Sequence, residues 1–146
     1  MGGCNKGRFN RRETKEKFVI FYDRAQSGHG LSLEEYAEGY TGIWYFHGFQ
    51  GQNLFATLGY GTKDEKGDIK FKLSEVSSTG FPVGSNVDTR DCGTMTVRFK
   101  DPYNNVAGID MVAVIDSRML FGNGPQFSPP PPPTYTYQGS LSLLAG

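Results

Sequence analysis

Two cysteines, two histidines and one tryptophan stand in 146 residues, and each scarcity removes a class of protein. Cys4 and Cys92 are too few and too far apart for a disulfide framework or a cysteine-rich zinc site. Nothing near His29 or His47 in sequence suggests a catalytic nucleophile or a metal cluster. No phosphate-binding glycine loop, serine-hydrolase elbow or zinc-protease helix signature is present. These absences point to a non-enzymatic protein with no cofactor and no metal. There is no N-glycosylation sequon, and no apolar run approaches the roughly 20 residues of a membrane-spanning helix.

Net charge is also missing, at zero overall, but it is missing by cancellation. Residues 1–17 carry Lys6, Arg8, Arg11, Arg12, Lys15 and Lys17 against only Glu13 and Glu16, a local charge of +4. No charged side chain follows Arg118. A polarised layout of this kind suits a basic arm that meets an anionic surface, either acidic lipid headgroups or nucleic acid. Gly2 and Cys4 are candidate acylation sites. Lys6 occupies the position where N-myristoylation favours a small polar residue.

Between the arms, period-two alternation of apolar residues marks six strands. They are FVIFYD, IWYFHGF, NLFATLGY, IKFKL, TMTVRFK and IDMVAVI. In the fourth, Ile69, Phe71 and Leu73 share one face; in the fifth, Met95, Val97 and Phe99 do. LSLEEYAEGY reads as a helix: Ser32 and Glu35 form a capping box, and Leu33, Tyr36, Ala37 and Tyr40 fall on one face. Strands and helix do not alternate, so a doubly wound parallel sheet is excluded. The expected fold is α+β: a mostly antiparallel sheet or sandwich with one short helix packed on it. It would be flanked by a disordered basic N-terminal arm and a Pro-rich C-terminal tail. The expected boundaries are 1–17 for the arm, 18–121 for the domain and 122–146 for the tail.

The tail holds five consecutive prolines and the sequence Pro132-Pro133-Thr134-Tyr135, a PPxY motif of the kind WW domains read. A polyproline II ligand loses little conformational entropy on docking, and the tyrosine fills a second pocket. Trp44, Tyr45, Phe46 and Phe49 cluster in one segment. Such a cluster either stacks bases or, more commonly, forms the core of a small sheet.

The segments FVIFYDR, LSLEEYAEGYTGIWYF, NLFATLGYG, GTMTVRFKDPYNN and IDMVAVIDS together resemble the matrix proteins of rhabdoviruses and related negative-strand RNA viruses. That resemblance spans roughly residues 18–120. It implies a self-assembling protein of the virion and host cytoplasm that lines the inner face of the host membrane and condenses the viral nucleocapsid. Pro132, Pro133 and Tyr135 would act as a late motif that recruits HECT-type ubiquitin ligases through their WW domains. The late motif of rhabdoviruses usually sits in the N-terminal arm, whereas here it lies at the other end. Two further expectations compete with the matrix role: a nucleic-acid-binding module built on the basic arm and the Trp44 region, and a cellular adaptor for WW-domain proteins.

Overall fold

The computed structural model describes residues 17–79, 86–100, 108–121 and 133–145. Eight strands follow one another: β1 (Lys17–Tyr22), β2 (Gly30–Tyr36), β3 (Gly39–His47), β4 (Asn53–Gly61), β5 (Asp68–Thr79), β6 (Asn86–Phe99), β7 (Gly108–Asp116) and β8 (Thr134–Ala145). Each pairs antiparallel with its successor, and β8 pairs back onto β1, so the sheet closes as an up-and-down barrel. A single helical turn, α1 (Ser117–Phe121), follows β7.

The six strands read from the sequence are all present. The α+β sandwich with a packed helix is overturned, because the chain is an all-β closed barrel. LSLEEYAEGY is not a helix. It is β2, a two-residue turn and the start of β3, with Tyr36 paired to Gly39. Leu31 and Leu33 are buried at a spacing of two, while Tyr36 is 52% exposed. The helical spacing of Leu33, Tyr36 and Tyr40 was coincidental, since a short apolar run satisfies both periods. The turn residues Ala37 and Glu38 both adopt positive φ, 49° and 66°. This is the hairpin turn whose twist matches the strands, built without its usual Asn-Gly pair. Tyr60 holds it in place: its hydroxyl donates to the carbonyl oxygen of Ala37. The Tyr60 ring lies where a Cβ on residue 39 would stand, so a larger residue there would displace the ring that holds the turn.

The C-terminal part of the expected fold is corrected too. TYTYQGSLSLLA is β8, paired to β7 from Asp116↔Thr134 to Gly108↔Ser142. Tyr135, Tyr137, Gly139 and Leu141 stand opposite the inward-facing Ile115, Ala113, Met111 and Ile109. The strand is hidden in a proline-led segment because period-two alternation is weak when the interior positions are tyrosine and glycine. Residues 1–16, which carry most of the expected basic arm, lie outside the described residues. Lys17 is the exposed first residue of β1.

An eight-stranded barrel is just wide enough to be filled by its own side chains or to keep room for one small ligand. Here one half is filled. Phe21, Tyr40 and Phe99 pack ring to ring, with centroids 6.1 and 5.5 Å apart from Phe99. Lys63 covers that end, its Nζ 4.8 Å from the Phe99 ring centroid. Ile69, Phe71, Leu73, Met95 and Val97 fill the middle, as their alternation predicted. Cys92 is buried beside the bulge in β6, and burial pushes its thiol up to about 11, so it is a packing residue.

Asp116 ties β7, β6 and α1 together. Its Oδ1 accepts from the Arg118 backbone N–H at 2.8 Å, capping the helical turn. Its Oδ2 takes the Arg118 guanidinium at 2.8 Å and that of Arg90 at 3.1 Å. Arg90 also pairs with Glu75 on β5. The hydrogen bonds from Arg118 are the main reason the Asp116 carboxyl is held down, to about 2.

Two outcomes follow from this architecture. Leu33→Ala should cost about 3 kcal/mol in denaturant unfolding and Tyr36→Ala under about 1 kcal/mol, whereas a helix burying both residues would make the two losses similar. Asp116→Asn should lower stability by about 1 kcal/mol at neutral pH, discounted because the partner Arg118 is 75% exposed. The folded carboxyl lies below its unfolded value. Its contribution is therefore complete above about pH 4 and is lost as pH falls toward 2. Unfolding midpoints of the two proteins should converge across that window.

Candidate binding cup at one barrel mouth

The end of the barrel opposite Lys63 is incompletely filled. A cavity of about 430 Å3 opens there, lined by Gln26, His29, Trp44, Phe46, His47, Phe49, Ile115, Leu120, Tyr135, Thr136 and Tyr137. Among the described residues, no Asp, Glu, Lys or Arg side chain lines it. Its size and its mostly aromatic lining with a few polar groups are those of a small-molecule site.

The floor is built from the β1–β2 loop. Asp23 organises that loop: its Oδ1 accepts from the Ala25 N–H at 2.9 Å, and its own N–H donates to the His29 carbonyl oxygen at 3.0 Å. The turn brings Asp23 Oδ2 to 3.0 Å from His29 Nδ1. The hydrogen bond with His29, followed by that from the Ala25 N–H, holds the Asp23 carboxyl below its ordinary value. On the other side of the ring, Trp44 Nε1–H donates to His29 Nε2 at 3.0 Å. The indole is a donor only and the carboxylate an acceptor only. Both bonds can exist together only when His29 is neutral with its proton on Nδ1.

Trp44 is 3% exposed, and its ring stacks on Phe46 with centroids 4.0 Å apart. Tyr137 meets the His29 ring edge-on at 5.2 Å. Burial, and then the charge of Asp23, raises the Tyr137 phenol above its ordinary value and keeps it neutral. The ring lies along its own strand over residue 139, where an added Cβ would strike it, which is why a glycine follows two places later. His47 sits over Gly28 and donates Nε2–H to the Ser27 carbonyl oxygen at 2.8 Å. Gly28 adopts φ +85°, so its glycine serves both the turn and the contact.

The rim is a clamp between α1 and the β3–β4 loop. The Leu120 carbonyl oxygen accepts from the Phe49 N–H and from Gln52 Nε2, each at 3.0 Å. Phe49, 56% exposed, packs against Phe121 at 4.9 Å and Tyr135 at 4.8 Å. The Pro133 carbonyl oxygen accepts from the Ser117 N–H at 3.0 Å, so β8 enters the barrel beside the helix.

The sequence-derived site residues are distributed as follows. Gly2, Cys4, Lys6, Arg8, Arg11, Arg12 and Lys15 lie outside the described residues, as does Pro132. Pro133 is exposed just before β8, whereas Tyr135 is half-buried in that strand, paired with Ile115 and packed into the rim. Of the four aromatic residues expected to form core, Trp44 and Phe46 are buried whereas Tyr45 and Phe49 are exposed, and Trp44 is also a wall of the cup. His29 and Tyr137 were not foreseen. A histidine between two glycines and a tyrosine in a proline-led segment give no local signal, and only closure of the barrel brings them together. No protein family, curated protein or solved structure matches this chain.

Because Tyr135 is paired and packed, a WW domain can engage the PPxY sequence only after the start of β8 leaves β7. A synthetic peptide of residues 128–137 should therefore bind a PPxY-reading WW domain about tenfold or more tightly than the full chain does. Equal affinities by calorimetry would mean that Tyr135 is free.

Proposed function

We propose that this protein is a non-catalytic binder of a small, neutral, planar ligand, held in the aromatic cup at the His29 end of the barrel. The observation that carries this reading is the cavity of about 430 Å3 walled by Trp44, Phe46, Phe49, Tyr135 and Tyr137, with no charged side chain among the described residues that line it. Flat aromatic walls favour a ligand with its own π-face, and the uncharged lining disfavours an ionised one. Gln26, His47 and Thr136 supply polar edges that can orient it. Binding rather than chemistry is favoured because both His29 nitrogens are engaged in hydrogen bonds, one to a carboxylate and one to an indole. In the state that holds the tryptophan wall, the one lone pair of the ring is taken by the indole and is not offered to a ligand.

The matrix-like role expected from the sequence rests on the PPxY motif, the basic arm and the family resemblance. In the barrel Tyr135 is committed to the rim through Phe49 and Phe121, so the ligand cup is the reading that the geometry favours.

The test uses the neutral fluorophore N-phenyl-1-naphthylamine, whose absorption overlaps the emission of the single tryptophan. Binding should quench Trp44 by energy transfer with a Kd on the order of 10 µM, about −7 kcal/mol. Phe49→Ala, at an exposed position, should weaken binding about fivefold with little loss of stability. No quenching, or equal binding by the variant, would sink the reading.

A further inference from the structure

The cup's tryptophan wall is held by a hydrogen bond that exists in only one protonation state. We propose that Asp23, His29 and Trp44 form a proton-operated device in which uptake of a proton at His29 Nε2 releases Trp44 and weakens ligand binding. The device acts on the cup described above and, for its effect on a ligand, rests on that reading.

The three groups form a one-way chain of donors. Trp44 Nε1–H donates to His29 Nε2, and His29 Nδ1–H donates to Asp23 Oδ2, each at 3.0 Å. A proton taken from solvent onto Nε2 turns that nitrogen into a donor facing the donor of Trp44. One of the two bonds to His29 must then break. The imidazolium gains attraction from the Asp23 carboxylate and loses it from the indole N–H, so the bond to Trp44 is the one lost. Trp44 is 3% exposed, and a buried N–H without a partner is unfavourable. The indole must turn to recover one, and its stacking on Phe46 moves with it.

The surroundings add few other titrating groups. The β1–β2 loop contributes Asp23, β1 contributes the phenol of Tyr22, and β3 contributes His47 on the cup wall and the phenol of Tyr45 in the neighbouring cavity that His29 also lines. From β8 come Tyr135 and Tyr137, both phenols; from β7 and α1 the cup receives only Ile115 and Leu120. Between pH 8 and 5 histidine is the side chain whose ordinary titration falls in range. Two histidines line the cup, His29 bonded to Trp44 and His47 over Gly28, and the experiment separates them.

The readout is the emission of the single tryptophan in the ligand-free full chain, followed from pH 8 to pH 5. Wild type should show one transition. His29→Gln should abolish it, because the Gln carboxamide oxygen accepts from the indole at every pH. His47→Gln should retain it, and Asp23→Asn, which removes the charge that favours the imidazolium, should move it to lower pH. In parallel, the Kd of N-phenyl-1-naphthylamine should rise about tenfold between pH 8 and pH 5 in wild type and less than twofold in His29→Gln. Absence of the wild-type transition, its persistence in His29→Gln, or its loss in His47→Gln overturns the proposal. So does a loss of the far-UV circular dichroism of the sheet with the same midpoint, which would mark unfolding. An emission transition in a protein that binds no probe at any pH supports the proton-operated bond and overturns the ligand cup instead. Probe binding that is independent of pH overturns the coupling between them.

Discussion

Closure of the sheet by β8 is the constraint on which the rest of the structure depends. A seven-stranded sheet would leave the edges of β1 and β7 unpaired, and unpaired edges invite association with other chains. β8 pairs with β7 over nine residue pairs and with β1 over three, and it removes both edges together. The same strand carries Tyr135 and Tyr137 into the barrel mouth. Closure and site formation are thus one event. The residues that complete the hydrogen-bond ladder are also those that wall the cup.

The barrel is asymmetric along its axis, and the asymmetry has a chemical cause. At the Lys63 end, Phe21, Tyr40 and Phe99 fill the cross-section, and Lys63 places its charge over the rings at the edge. At the other end the interior positions carry rings that lie flat or along their strands, Trp44 on Phe46 and Tyr137 over Gly139. Rings so arranged leave space that aliphatic side chains would have closed. A buried polar pair sits at the base of that space, with every hydrogen-bonding atom of the His29 ring satisfied. Satisfied buried polar groups specify one arrangement of their neighbours, and here they specify the orientation of Trp44.

Several features were legible in the sequence and for clear reasons. Ile69, Phe71 and Leu73, and Met95, Val97 and Phe99, alternate with charged or polar residues, and they face the core. The helix expected over Leu31–Tyr40 is a pair of strands, because Leu33 and Tyr40 suit a helix face and a hairpin equally. The turn at Ala37 and Glu38 lacks the glycine or asparagine that ordinarily announces positive φ. Its support comes from Tyr60 on β4, more than twenty residues away, and no local pattern carries that information.

The sequence by itself determined that the chain is rich in antiparallel strands, that its excess of positive charge lies at the N-terminal end, and that it lacks the usual motifs of catalysis. These are properties of composition and short-range spacing, and they survive any arrangement of the strands. Tertiary structure alone decided that the sheet closes, that TYTYQGSLSLLA is a strand and not a tail, and that Asp23, His29, Trp44 and Tyr137 meet. Those four residues span more than a hundred positions of the chain. They come together because each successive antiparallel pairing returns the chain to the same barrel mouth, and the register of each pairing follows from which face must be buried.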